Sequence, residues 1–406
     1  MGLSRNSVLA VGLDLLFMSI NFSALTLFAA LNKYIASELG VRGGLAWWAA
    51  AAYSMGIFAA FFVGHSRFTE ENPRLTVLIA GLLAAIPQFL IPYAVHPGEV
   101  VVLRFVQGLV MMAVPIFSAQ VGKLFAGARP FALGTILSGI FIGGLVGSSL
   151  GWRIAEAIGW KTTYLLFGSL MILVALIWIA ATPRETLPEH HHVEGEVEER
   201  ISVWRDKFTI LWGFTFFPSI WIIFTLAPLI HFIVSSAGWG ENTAHLASEV
   251  LEASYMVWSI VIGGVAFSVA RRSRQTPREL FNSFARVQAV CFIVAAIGAG
   301  IAITANSPEA LLGSLVLIAV IQGTAPTFWS TPSTAYPREL VTRAGYALGL
   351  ISNSAALIGP AASIMVSSLS PQGMWVLTII LSIIGALITI TGMKLTLPIE
   401  KYGSNK

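Results

Sequence analysis

Residues 100–166 read VVVLRFVQGLVMMAVPIFSAQVGKLFAGARPFALGTILSGIFIGGLVGSSLGWRIAEAIGWKTTYLL. The stretch opens as an apolar run with a single charge, Arg104, followed by Gln107 and Gly108. A short polar break holds Lys123, Arg129 and Pro130. A second apolar run carries Gly134, Gly139, Gly143, Gly144 and Gly147 and ends on Gly151-Trp152-Arg153, then Gly159-Trp160-Lys161. Two membrane helices, a short basic loop and an amphipathic exit account for all of these features. An arginine inside such a helix is costly and is usually kept for function. The glycines let a neighbouring backbone come close where no hydrophobic force drives helices together.

The rest of the chain has the same character. Its 406 residues are 56% hydrophobic and 11% charged, with a mean hydropathy of +0.79. Ordinary soluble domains carry about 25% charged residues, so a soluble globule is excluded. Cys291, the single cysteine, lies in an apolar run, so no intrachain disulfide is possible. The net charge of +4 comes from loop lysines and arginines. No basic block with interleaved aromatics points to nucleic acid. The apolar run from Val8 is too long for the core of a cleavable signal peptide.

Twelve apolar runs are long enough to cross a bilayer, which takes about 20 helical residues. They lie near 8–31, 45–64, 75–95, 99–121, 131–152, 161–181, 209–235, 246–270, 281–305, 309–331, 344–368 and 373–395. A cytoplasmic N-terminus puts Arg67, Arg74, Lys123, Arg129, Arg184, Arg200, Arg205, Lys207, Arg271, Arg272, Arg274, Arg278, Arg338, Arg343 and the C-terminal lysines inside and leaves only Lys33, Arg42, Arg153 and Lys161 outside. The positive-inside rule then predicts a multi-pass plasma-membrane protein with both termini in the cytoplasm. The expected domains are a six-helix bundle over 1–181, a cytoplasmic linker over 182–207, a second six-helix bundle over 208–396 and a tail over 397–406. The linker holds His190-His191-His192. Without cysteines or a spaced second cluster, these histidines read as part of a solvated segment rather than a metal sensor, and no metal is expected.

A weak internal repeat supports the two halves. Gln107-Gly108 recurs as Gln322-Gly323, Ala132-Leu133-Gly134 as Ala347-Leu348-Gly349, and Gly144 as Gly359, all at an offset of 215 residues. Six-span repeats of this kind occur in transporters.

The motifs also resemble a known family. Arg104-Phe105-Val106-Gln107-Gly108 matches the R-x-x-Q-G signature of the fourth helix in the major facilitator superfamily. Residues Gly139 to Gly147 resemble its glycine-rich fifth-helix motif, without the usual proline after Gly144. Gly159-Trp160-Lys161 with Tyr164 resembles its entry to helix six. The loop between spans 2 and 3 departs from the family pattern: Gly64-His65-Ser66-Arg67-Phe68-Thr69-Glu70-Glu71-Asn72-Pro73-Arg74 lacks the acid at its usual place, leaving Glu70 and Glu71 as substitutes. The resemblance implies an all-α fold of twelve transmembrane helices in two pseudo-symmetric six-helix bundles. It also implies that spans 1, 4, 7 and 10 line a central cavity.

On those spans the polar residues gather in stripes: Asp14, Asn21 and Asn32; Arg104, Gln107, Met111, Pro115 and Ser118; Trp221, Thr225 and Pro228; Gln322, Pro326, Trp329, Ser333 and Tyr336. A lipid-facing helix would scatter them, because each costs free energy in hydrocarbon. Substrate-binding candidates are Asn21, Arg104, Gln107, Met111, Trp221, Thr225, Gln322, Trp329 and Tyr336. The aromatic members are equally readable as packing. Asp14, an acid well inside a first-half span, is the leading candidate for a coupled proton. Arg104 either holds an anionic group, tunes a neighbour's proton affinity, snorkels to the outer surface, or bonds to carbonyls of span 1. His231 and Glu252 are further proton-coupling candidates, with a structural histidine and a solvated helix start as the competing readings.

No phosphate-binding loop and no hydrolytic or redox constellation is present. The expected function is therefore not enzymatic and needs no cofactor. It is secondary active transport of a small organic solute by alternating access, coupled to protons or another ion, by a monomer in the lipid bilayer. The competing readings are a proton-driven exporter of amphipathic compounds and a non-transporting receptor or scaffold, which the short loops disfavour.

Overall fold

The computed structural model describes residues 4–41, 44–125, 128–188, 203–272, 276–370 and 372–402. Among them there is no strand. The long helices are α1 (Arg5–Glu38), α2 (Leu45–Gly64), α3 (Pro73–Leu90), α4 (Pro97–Leu124), α5 (Arg129–Ile158), α6 (Trp160–Ala181), α7 (Lys207–Ser236), α8 (Glu241–Arg271), α9 (Pro277–Thr304), α10 (Pro308–Ala335), α11 (Val341–Leu369) and α12 (Gly373–Gly392). Eleven of them are long and apolar enough to cross a membrane, counted over the described residues. The other, α11, has 29 residues, or about 44 Å of helix, against a hydrocarbon core of about 30 Å. The segment with His190-His191-His192 lies outside the described residues.

Local chemistry sets where the helices start and bend. Ser4, Asp206, Thr276 and Ser307 each accept a backbone N–H of the following turn, the usual task of an N-cap. The cap at Ser4 starts α1 three residues earlier than the apolar run suggests, and α1 continues through Lys33 to a turn at Gly40, where φ is +65°. At the repeated Gln-Gly pair both α4 and α10 loosen into 3₁₀ turns: Leu109–Met112 follows the first pair, and Ala319–Gly323 ends on the second. Pro115 and Pro326 follow at once. Neither has an N–H to give the residue four before it, so the regular ladder fails there. In α5, a π-helical turn at Val146–Leu150 widens the helix at the end of the glycine stripe.

Two compact units emerge. The first comprises Met1–Val114 and Ile136–Thr186, the second Pro115–Thr135 and Leu187–Lys406. In the first unit α1 is central. A side chain at Gly139, Gly143 or Gly147 of α5 would run into the backbone of α1 at Leu15, Ser19 or Ser23. This four-residue glycine spacing puts the two backbones in direct contact, and Thr26 adds a hydrogen bond of 2.7 Å to the Gly144 carbonyl. Gly56 of α2 and Gly108 of α4 meet in the same way. Inside a bilayer such packing replaces the hydrophobic effect as the force between helices.

In the second unit an aromatic cluster joins α7, α9 and the end of α10. Trp212 meets Phe281 edge-on at 4.5 Å, and Phe208 stacks on Trp212 at 5.9 Å. The segment Pro115–Thr135 belongs here. Ser118 donates to the Trp329 carbonyl at 2.5 Å, Gly122 sits against Ser333, and Arg129 donates to the Ser333 carbonyl at 2.8 Å and the Thr334 hydroxyl at 3.1 Å.

Gly143→Val should lower the melting temperature of the purified protein sharply, because overpacking against a fixed backbone costs about 1–3 kcal/mol or more. Gly300 has open space around it, so Gly300→Val should leave the same melt nearly unchanged.

Candidate functional site

Among the described residues, the first unit holds two buried charged side chains, each only 1% exposed. Asp14, on α1, accepts a hydrogen bond of 2.8 Å from the indole N–H of Trp178 on α6. Its second carboxylate oxygen is buried without a partner, and no cation pairs with it among the described residues. The ring of Trp178 is steadied in turn by Phe17, edge-on at 6.5 Å.

Arg104, on α4, reaches α1. Its guanidinium donates to the Ala24 carbonyl at 2.7 Å and the Leu25 carbonyl at 3.3 Å, and also to Oε1 of Gln107 at 2.7 Å. The rings of Phe28 and Tyr53 flank it at 4.8 and 4.6 Å. Of the readings open for Arg104 in the sequence, bonding to carbonyls of the first span matches the geometry. No carboxylate neutralises it among the described residues. A planar, delocalised charge stacks between two aromatic faces better than a compact ammonium does. Its Nε is buried without a partner, as are the hydroxyls of Tyr53 and Tyr164 and the amide of Gln88.

Of the candidates, the structure brings Arg104 and Gln107 together and keeps Asp14 apart from both. Ten residues of α1 separate Asp14 from Ala24, about 15 Å along the helix. Asn21 lies between them, buried, with its amide donating to the Phe17 carbonyl at 3.0 Å and its Oδ1 unpartnered. Met111 is buried one turn beyond Gln107.

In the second unit, Trp221 is half-buried, with its ring 5.8 Å from Phe217 and against Gly359. Thr225, Gln322, Trp329 and Tyr336 are buried. The Tyr336 hydroxyl shares a hydrogen bond of 2.8 Å with Thr209. Glu252 is buried one turn before Tyr255, and no ion pair reaches it among the described residues. The ring of His231 lies 4.5 Å from that of His245. The side chain of Pro228 lies outside what the structure describes. In the loop between α2 and α3, Glu71 pairs with Arg67 within one helical turn at 3.0 Å.

Sequence reasoning missed several of these partners. Trp178, Tyr53 and Gln88 are isolated polar groups in apolar runs, and nothing in the spacing distinguishes them; Tyr164 is marked only as part of the motif with Gly159-Trp160-Lys161, which gives it no site role. A second omission had a visible signal. Thr324, Thr327, Thr331 and Thr334 recur at helical spacing on α10. Thr324 donates to Ser219 at 2.8 Å, Thr331 accepts from the Trp212 indole at 2.9 Å, and Thr327 reaches Gln288, whose amide donates to Thr215 at 3.0 Å. This hydroxyl ladder ties α7, α9 and α10 together without a charge.

Comparison with known proteins bears on what these arrangements serve. The model of the Major Facilitator Superfamily matches residues 15–360. A hexuronate transporter of Bacillus subtilis (strain 168) is 21% identical over 335 residues, covering 77% of this chain and 78% of the relative. Two solved structures share the fold. The proton:xylose symporter XylE, bound to 6-bromo-6-deoxy-D-glucose, has a TM-score of 0.73 at 12% identity, with 95% of each chain covered. The human organic anion transporter MFSD10 has a TM-score of 0.68 at 13% identity, covering 95% of this chain and 100% of its own.

Arg104→Lys keeps the charge but loses the planar fork and most of the aromatic contact. Solute uptake by reconstituted protein should fall at least tenfold while expression stays near normal. Unchanged uptake would reduce Arg104 to a dispensable anchor.

Proposed function

Because the chain belongs to the Major Facilitator Superfamily, we propose that this multi-pass membrane protein is a secondary active transporter of a small organic solute, driven by protons through Asp14. The observation that carries the coupling is the carboxyl itself. It is buried on α1, answered by one indole N–H and, among the described residues, paired with no cation. Its charge state is therefore tied to how α1 rests on α6. A proton taken up or released there changes a contact between two transmembrane helices, which is what coupling requires.

The solute is a small hydroxylated or carboxylated organic molecule. The named relatives, a hexuronate transporter, an organic anion transporter and a proton:xylose symporter, support this chemistry. Alternating access supplies the mechanism, with Asn21, Gln107, Met111, Trp221, Thr225, Gln322, Trp329 and Tyr336 as contacts for the solute and Arg104 fixing α1 against α4. His231 and Glu252 follow Asp14 as proton carriers.

The proposed orientation places both termini in the cytoplasm. Cys291 is buried, so Glu194→Cys gives a single accessible thiol. A membrane-impermeant maleimide should label it in inside-out vesicles and not in intact cells.

Asp14→Asn fixes the uncharged form at nearly constant volume. In proteoliposomes, gradient-driven accumulation should stop while solute counterflow, which moves no net proton, persists. Full accumulation by Asp14→Asn would remove Asp14 from the mechanism. A parallel loss of both activities, with a lowered melting temperature, would make it structural.

A further inference from the structure

We propose that an anionic phospholipid binds in a groove between the start of α5 and the second half of α8, with its phosphate on Arg272. The groove has a volume of about 580 Å³ and is lined by Phe131 of α5 and by Val261, Gly264, Val265, Val269 and Arg272 of α8. Val261, Val265 and Val269 recur every four residues and are 42, 44 and 38% exposed. In a chain that spans a bilayer, such a stripe faces acyl chains.

Two glycines make the groove. Gly263 lies against the Pro130 carbonyl, which draws the start of α5 onto the backbone of α8. At Gly264 a side chain would meet only the Phe131 ring, at 3.7 Å. The missing side chain leaves a channel beside that ring.

Length and charge identify the occupant. From Val261 to Arg272 the helix rises about 16 Å, close to half of a hydrocarbon core of about 30 Å. That is the depth of one leaflet, so the groove accommodates the acyl chain of a lipid whose headgroup lies at Arg272. Arg271 and Arg272 are both exposed, and neither forms an ion pair or side-chain hydrogen bond among the described residues. The basic groups nearby differ. Arg278 bonds to the Leu395 carbonyl and lies near Glu400, and Arg129 bonds to Ser333 and Thr334. Two arginines with no counter-charge, at the mouth of an apolar groove, complement a phosphodiester whose charge no amine cancels. A lipid seated there braces the contact between α5 and α8, which also includes the Ser259 hydrogen bond of 3.0 Å to the Gly134 carbonyl.

The test uses the full chain, purified in detergent and melted with phosphatidylglycerol, with phosphatidylcholine of the same acyl chains, or with glycerol 3-phosphate. Phosphatidylglycerol should raise the melting temperature by about 3 °C or more above the other two. The double variant Arg271→Gln, Arg272→Gln should lose this increment, and Arg286→Gln, at an exposed site on α9, should keep it. Gly264→Leu fills the groove with the charges intact and should also lose the increment. Val265→Trp, at an exposed position, makes the same test if Gly264→Leu does not fold. Equal stabilisation by the two lipids overturns the proposal. So does an increment that survives the double glutamine variant, or one that survives filling of the groove, because surface charge alone would then explain it.

Discussion

A guanidinium in hydrocarbon must find its acceptors within the protein, and Arg104 finds them on the backbone of α1. The Ala24 and Leu25 carbonyls it uses already belong to the hydrogen-bonded ladder of that helix, so the bonds fasten α4 to α1 as a whole and not to one side chain. On another side of α1, the glycine stripe of α5 replaces side chains with backbone contact. On a third, Asp14 meets the indole of Trp178. Three neighbours thus hold α1 by three kinds of interaction. Only the contact at Asp14 can be altered by a single proton.

The two units solve the problem of polar groups in hydrocarbon differently. The second unit uses hydroxyls, an indole and an amide, each short enough to be satisfied across one helix interface. Such a ladder carries no charge and holds α7, α9 and α10 in register. The first unit buries an acid and an arginine and leaves polar atoms around them unpartnered: Oδ2 of Asp14, Nε of Arg104, the Gln88 amide and the Tyr53 and Tyr164 hydroxyls. Partly satisfied polar groups are the more responsive ones, because each still gains free energy from a new partner. The second unit is not free of such groups: Glu252 is buried without an ion pair among the described residues, and Oδ1 of Asn353 and the Ser382 hydroxyl are buried without a partner.

The sequence made some of this legible and concealed the rest for physical reasons. Periodicity and hydropathy locate the helices, and Pro115 and Pro326 mark where two of them loosen. Arg104 and the glycines are visible because they are expensive or empty where leucine would be cheap. Spacing along one helix, however, says which face a residue occupies and not which helix covers that face. The partner of Asp14 lies 164 residues away, and no local pattern joins the two. The choice for Arg104 among anion, neighbour, outer surface and backbone likewise needed the position of α1.

The internal repeat shows where the halves diverged. Gln107-Gly108 and Gln322-Gly323 correspond, the first pair just before a 3₁₀ turn and the second at the end of one. The residue that corresponds to Arg104 at the same offset is Ala319. Gln107 therefore has a guanidinium to accept from, and Gln322 has none among the described residues. The shared feature is the backbone: a glycine for close approach and a weakened helix nearby. Gly108 uses it to meet Gly56, whereas Gly323 meets the branched side chain of Ile262. The duplicated motif thus preserves a way of bending and packing a helix, and the charge that ties one copy to its neighbour belongs to the first half alone.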